Sequence, residues 1–300
     1  MNSIKYIFTD LDGTLFKSSS ENDKKIDPKF ARTINSLPNY GINFSIATGR
    51  DYLNAKKILE LNGINNYDYI IGCNGAQIYN RSLNQLIFVR TFTEQEHNYA
   101  MKAFEYIDRK YPNQLYMYGY SLGKTLTHIT FYIKENENIN VLQSTNYMLN
   151  RFKETGIGLL VRSSFSTSLL KNAYKITIAF VDYKMPIEKR LHITSDLQAK
   201  FPDLWYLTTS TIEITPKNID KYAAIQMINK KYYKGNNEEF AVFGDGGNDI
   251  SMLYNFNNSF SRHDTYPFVK NVAKNIIENK SSYFVEDVIN KIIKEKNNFN

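Results

Sequence analysis

Residues 6–16 read YIFTDLDGTLF. The run 4–9, rich in β-branched and aromatic residues, has the composition of a buried strand. It breaks directly into two aspartates one residue apart. Two carboxylates at a strand end repel each other unless something is gained by holding them there. Asp12-Gly13 is also a common turn pair, so the stretch reads either as a turn or as a reaction centre. What stands at the ends of the other strands decides between the two.

Working outward, Asp27-Pro28 supplies a helix N-cap and a first helical residue, and the helix runs to about Leu37 before Pro38. INFSIATG, 42–49, reads as a second strand ending on glycine. Residues 51–63 form an amphipathic helix with Leu53, Ile58, Leu59 and Leu61 on its apolar side and Gly63 as its stop. YDYIIGCNGA, 67–76, gives a third strand and a glycine-rich turn, and 77–89 a hairpin. Strand-helix-strand-helix-strand at this spacing predicts an α/β fold, a Rossmann-like parallel sheet with crossover helices.

The pattern then changes. Helices at 93–110, 139–150 and 186–200 alternate with strands at 114–118, 128–133, 174–181 and 204–214, an α+β arrangement. The first style returns with a helix at 218–232, a strand at 238–245, a short helix at 248–255 and a last helix at 284–295. Residues 1–85 and 213–300 are therefore expected to form one α/β core, interrupted by an inserted α+β domain at 86–212.

The bulk properties narrow the function classes. The chain has 300 residues, enough for about two domains. Its net charge is +7. The lysines are scattered and the C-terminal set Lys291, Lys294 and Lys296 is short, which argues against nucleic acid. A basic surface suits anionic small substrates. Cys73 is the only cysteine, so no intrachain disulfide is possible and a reducing compartment fits. No apolar run approaches 18 residues, so no membrane span is expected. MNSIKYIFTD does not have the pattern of a secretory signal. A cytoplasmic chain, monomeric by default, is the expectation.

Four polar stretches stand where strands end: Asp10 and Asp12; Thr48-Gly49-Arg50; Asn74-Gly75-Ala76; and GDGGND with Asp245, Asn248 and Asp249. Ligands of open parallel sheets bind at those ends. Asp10, Asp12 and Asp245 in one cleft would repel strongly. A hard divalent cation such as Mg²⁺, which takes few carboxylates plus water and a phosphate oxygen, would relieve this. A carboxylate can also attack phosphorus to give an aspartyl-phosphate, and a second carboxyl can serve as general acid. Residues i and i+2 of a strand share a face, so Asp10 and Asp12 can reach one substrate. Leu11 between them points elsewhere, while its backbone N–H and that of Asp12 suit phosphate oxygens. The Thr48 hydroxyl and the Gly49 N–H at a helix entry form either a phosphate cradle or an ordinary turn. Lys221, near the start of a late helix, reads on its own as a solvated charge.

DLDGT, ATGR, a lysine opening a late helix and GDGGND, in that order, resemble the haloacid-dehalogenase superfamily. FTDLDGTL, NGA and GDGGNDISML are most similar to its Cof-type sugar-phosphatase branch. From Thr14 to Thr48 there are 34 positions, most of them used by a helix and a strand, whereas Thr48 and Lys221 are 173 apart. An insertion between the second and third motifs is the position of the family's type-2 cap. It disfavours members with the cap after the first motif, such as β-phosphoglucomutase.

The resemblance implies Asp10 as nucleophile and Asp12 as the acid that protonates the leaving oxygen and then activates water. Thr48 and Lys221 would hold the phosphoryl group. Asp10, the Asp12 carbonyl and Asp245 would bind Mg²⁺, with Asn248 and Asp249 completing the metal and lysine surroundings. Arg50 and Asn74 would orient substrate or brace the loops. The chain departs from the family at Tyr222, where glycine is usual, and in NNSFSRHDTYPF, which replaces a Gly-Asn-Ala-like loop. There Arg262, His263 and Asp264 are either substrate contacts or a surface turn. The implied function is a Mg²⁺-dependent phosphatase for small phosphorylated metabolites, sugar phosphates or phosphorylated cofactors. Tyr111, Tyr116, Tyr118, Tyr120, Phe131 and Tyr132 of the inserted domain would either close over the substrate or pack that domain's own core. The alternatives are a phosphomannomutase-type phosphomutase and a degenerate binding or regulatory member.

Overall fold

The structure, a computed structural model, describes all residues except 17–24, 123–126, 133–137, 155–158, 165–169, 171, 183, 205, 209–210, 279–283 and 299–300. The chain divides into two compact units, Met1–Phe88 with Asp220–Asn300, and Val89–Ile219.

In chain order the first unit begins with β1 (Tyr6–Thr9), α1 (Pro28–Ser36), β2 (Asn43–Ala47), α2 (Tyr52–Leu61), β3 (Tyr69–Gly72), β4 (Gln77–Asn80) and β5 (Gln85–Val89). The second unit carries α3 (Glu94–Lys110), β6 (Leu115–Leu122), β7 (Thr127–Tyr132), α4 (Ile139–Glu154), β8 (Leu159–Ser164), β9 (Ala173–Phe180), α5 (Ile187–Lys200), β10 (Tyr206–Thr208) and β11 (Ile212–Ile214). The chain returns through α6 (Lys221–Ile228), β12 (Phe240–Phe243), α7 (Ile250–Asn255), β13 (Asn258–Arg262), α8 (Pro267–Lys270), β14 (Asn275–Ile277) and α9 (Phe284–Asn297).

The sheet of the first unit has the order β14-β13-β12-β1-β2-β3-β4-β5. The run from β14 to β3 is parallel, and β4 is antiparallel to β3. β1 lies at the centre, and the chain winds to β2 on one side while β12 closes the other. This is the point where a ligand crevice opens outside the strand ends. Alternation along β1 feeds both faces. Ile7 joins a core with Phe30, Ile34, Phe284 and Val288 from α1 and α9. Phe8 joins a core with Ala224, Ile225, Met252 and Leu253 from α6 and α7. Both faces are covered by helices, as a parallel sheet requires.

Local chemistry sets the element ends. Asp27 caps α1 by accepting the Lys29 N–H at 2.7 Å, and Asp51 caps α2 by accepting from Leu53 and Asn54. Each satisfies helix N–H groups that have no partner within the helix.

The sheet of the second unit runs β10-β11-β9-β6-β7-β8, antiparallel wherever its pairs involve β9, β6 or β11, with β7 and β8 parallel. Met117, Ile176, Ile178, Ile212 and Ile214 face a core shared with Ala100, Phe104, Ile193 and Leu197 of α3 and α5. Tyr111 and Tyr132 pack against the same core, Tyr132 edge-on to Phe104. Tyr116, Tyr118 and Tyr120 alternate to the opposite face, where Tyr116 and Tyr118 stack on Phe131. Among the described residues, no helix is long and apolar enough to cross a membrane.

Four elements were illegible from periodicity. β8, β13 and β14 are strands, and α8 a short helix, where none is expected from the sequence. β13 carries Ser259 and Ser261 fully buried, so a polar composition conceals an interior strand. The hydroxyl of Ser261 donates to the Gly244 carbonyl, and that of Ser259 accepts the Lys274 N–H. These bonds offset the cost of burying the serines.

Candidate active site

The candidate site is built at the carboxyl ends of β1, β2, β3 and β12, with one side chain from the start of α6. The Asp10 N–H donates to the Phe243 carbonyl at 3.0 Å, which extends the β1–β12 pairing by one residue. The chain then turns at Gly13, with φ at 85°. The Phe16 N–H donates back to the Leu11 carbonyl. Leu11 is fully buried in the core beside Ile7, so any part it takes in binding belongs to its backbone. The acidic pair is thus both a turn and a convergence of side chains.

Lys221 opens α6 and is fully enclosed. Its ammonium donates to Asp10 Oδ1 at 2.8 Å and to Asp249 Oδ1 at 2.6 Å. Asp220 caps the helix by accepting the Ala223 N–H at 2.7 Å, which fixes where the lysine emerges. Gly75, with φ at 110°, lets the β3 turn pass so near Asp220 that a Cβ there would overlap the Asp220 carbonyl. Tyr222 lies edge-on to Phe256, centroids 5.6 Å apart. The departure from glycine after the lysine is accommodated by packing.

The GDGGND loop follows β12. Asp249 accepts the N–H groups of Asp245 and Gly246 with Oδ2, both at 2.9 Å, while its Oδ1 holds Lys221. Thr14 donates its hydroxyl to Asp245 Oδ1. The threonine was not singled out from the sequence; its place directly after the Asp-Gly turn is the signal that could have found it. Asn74, in left-handed conformation with φ at 57°, accepts from the Asn248 side chain at 3.0 Å. The second polar stretch closes on the first. Arg50 donates through Nε to Asp12 Oδ2 at 2.5 Å and through Nη2 to Oδ1 at 2.9 Å, and its Nη1 reaches Asn54 of α2. Thr48 is buried and accepts the Arg50 N–H with its hydroxyl oxygen. Gly49 links the two at the end of β2.

Arg262, His263 and Asp264 do not form a detached turn. Arg262 is the last residue of β13, forks Asp264 and donates to the Gly13 carbonyl at 3.0 Å.

The electrostatics single out one cluster. Oxygens of Asp10, Asp245 and Asp249 all lie within 4.8 Å of one another. Burial pushes Asp10 well above the ordinary carboxylate range; Lys221 opposes this, and the charges of Asp249, Asp245 and Asp12 reinforce it. Burial, then the charge of Asp249, pushes Asp245 up to about 7. Lys221 loses by burial, but Asp10 and Asp249 outweigh that loss and hold it as an ammonium. One ammonium among two buried carboxylates and a third that is partly buried leaves a deficit of positive charge. An oxygen-preferring divalent cation fits such a set, and the residues present suit one.

Comparison with known proteins agrees with this geometry. A family model described as haloacid dehalogenase-like hydrolase matches residues 7–289. A protein of Mycoplasma pneumoniae named "Putative phosphatase" is 24% identical over 298 residues, 98% of this chain and 97% of that protein. One of the same name from Buchnera aphidicola is 28% identical over 250 residues, 82% of each chain. The solved structure of the HAD subclass IIB sugar phosphatase BT4131 superposes with a TM-score of 0.69 at 20% identity, covering 97% of this chain and 98% of that one. The chain therefore belongs to the haloacid dehalogenase-like hydrolases, and its motifs resemble those of the Cof-type branch.

Proposed function

We propose that the protein is a Mg²⁺-dependent phosphatase that hydrolyses small phosphorylated metabolites through an aspartyl-phosphate on Asp10. The observation that carries this reading is the buried ammonium of Lys221 shared between Asp10 and Asp249, beside the carboxylate of Asp245. The two relatives named as phosphatases support the same reaction class.

Asp10, Asp245 and the Asp12 carbonyl would hold the cation, with Asn248 beside them. Asp249 stands behind, because its oxygens serve Lys221 and two loop amides. When bound, Mg²⁺ would neutralise charge on the phosphoryl oxygens. The chain's own residues do the rest. Asp10 forms the bond to phosphorus as the ester bond breaks. Asp12 donates a proton to the departing oxygen. A water then attacks the phosphorus of the aspartyl-phosphate, Asp12 takes its proton, and inorganic phosphate leaves with Asp10 restored. Lys221 and the Thr48 hydroxyl bind phosphoryl oxygens, where positioning and charge neutralisation supply most of the acceleration. Arg50 orients Asp12 by donating to both of its oxygens, and one prong would release its oxygen for Asp12 to carry the proton.

Sugar phosphates and phosphorylated cofactors are the substrate classes the reading favours. A panel of such esters, assayed for phosphate release with Mg²⁺ and with EDTA, tests it. Release that needs the metal, with labelled phosphate trapped on the protein by acid quench, supports the reading. Metal-independent release or none across the panel contradicts it.

A further inference from the structure

The end of β13 and the loop after it hold the two halves of the acidic cluster together from outside it. Ser261 donates its hydroxyl to the Gly244 carbonyl at 2.7 Å, and Thr265 donates its own to the Asp245 carbonyl. Both fix the backbone that carries Asp245. Between them, Arg262 reaches the other half. Its Nη1 donates to the Gly13 carbonyl at 3.0 Å, in the turn that separates Asp12 from Thr14. Its Nε and Nη2 fork the Asp264 carboxylate at 2.7 and 2.5 Å.

The two halves meet with no space to spare. A Cβ added at Gly13 would overlap the Asp245 carboxylate, and the Thr14 hydroxyl is already bonded to that carboxylate. A small shift of the Gly13 turn therefore moves Asp12 on one side and the Thr14–Asp245 contact on the other. The Arg262 side chain also lies near enough for the Asp245 charge to strengthen its hold on its proton, after the larger effect of Asp264.

We propose that Arg262 is a positioning residue: with Asp264 as its anchor, it holds the Gly13 turn so that Asp12 and Thr14 keep their places against Asp245. Its kinetic consequence rests on the phosphatase reading; the brace itself does not. Arginine suits the task because its planar fork engages a carboxylate at two points while a further N–H stays aimed at a carbonyl. Three of its five N–H donors are committed to Asp264 and Gly13, the arrangement of a brace.

The test compares wild type with Arg262→Ala, Arg262→Lys and Asp264→Asn in the full chain. The probe substrate is p-nitrophenyl phosphate with saturating Mg²⁺, and hydrogen–deuterium exchange is followed in metal-free protein at residues 10–16. Misplacement of a catalytic group by about 1 Å costs about 10²-fold in rate. The expected result is a fall in kcat of about 10- to 100-fold for Arg262→Ala with KM within about threefold of wild type. Arg262→Lys, which keeps a donor for Gly13, recovers part of the loss. Exchange at 10–16 quickens in Arg262→Ala and, to a lesser degree, in Asp264→Asn. If Arg262→Ala does not fold, Asp264→Asn carries both measurements.

An unchanged kcat overturns the proposal, as does a rise in KM alone, which would make Arg262 a substrate contact. Unchanged exchange at 10–16 also overturns it. If wild type hydrolyses no p-nitrophenyl phosphate, the phosphatase reading fails there and the exchange result alone decides the brace.

Discussion

The ammonium of Lys221 lies 2.8 Å from Asp10 Oδ1, and its side chain has no exposure to solvent. Such a pair stabilises little in total, because desolvation offsets the attraction, yet removing one partner leaves a buried charge unmatched. Lys221→Met should therefore lower the melting temperature, with a stability loss of about 3–5 kcal/mol. Turnover should fall by about 10²-fold or more, the typical effect of deleting one donor to a developing oxyanion. Calorimetric melting and steady-state kinetics on the one variant check both.

Arg50 fixes Asp12 at two points, and lysine cannot reproduce that grip. Arg50→Lys is expected to lose about 10-fold or more in kcat, within the 10²- to 10⁴-fold that a positioned acid contributes. The melting temperature should change little, because both partners keep some access to solvent and lysine retains the charge. A kinetic profile identical to wild type would remove Arg50 from the account.

How far the sequence discloses this site can be judged from these residues. Asp10, Asp245 and the glycine-rich ends of β2 and β3 were legible because strand periodicity places them at one end of a parallel sheet. Lys221 was legible only through resemblance: nothing in NIDKYAAI tells a buried ammonium from a solvated one. The grip of Arg50 on Asp12 spans 38 positions and that of Arg262 on Gly13 spans 249. Such contacts depend on tertiary closure, which no local pattern encodes. β13 is hidden for a related reason: its buried serines find their partners just after β12 and just before β14, so its polarity resembles that of a loop.

Gly13 has φ at 85° and faces the Asp245 carboxylate. Gly13→Ala should cost about 1–2 kcal/mol from the left-handed backbone alone, and the new methyl group must displace Asp245. The expected result is a lower melting temperature together with a higher Mg²⁺ concentration for half-maximal activity. Thermal melting and a Mg²⁺ titration of activity test this, and an unchanged titration would contradict the contact.

Asp245 moves from an ordinary carboxyl value of 3.8 to about 7 on folding. Between those values the folded protein binds a proton that the unfolded chain does not, so folding is favoured by protonation there. In EDTA, the contribution of Asp245 to stability falls as pH rises from about 4 to about 7 and then levels off. Asp245→Asn should gain on wild type in melting temperature between pH 5 and pH 8 without metal. Added Mg²⁺ should raise the wild-type melting temperature more at pH 8 than at pH 5.5. A gap between the two proteins that does not vary with pH would show that Asp245 titrates normally.

The most direct measurement is the turnover of Asp10→Asn with p-nitrophenyl phosphate and saturating Mg²⁺, alongside its melting temperature. The amide removes the attacking carboxylate and keeps the side chain's shape beside Lys221. The account predicts a folded protein whose turnover falls by at least about 10³-fold, since the covalent step is lost. A folded Asp10→Asn protein with full Mg²⁺-dependent turnover would contradict it.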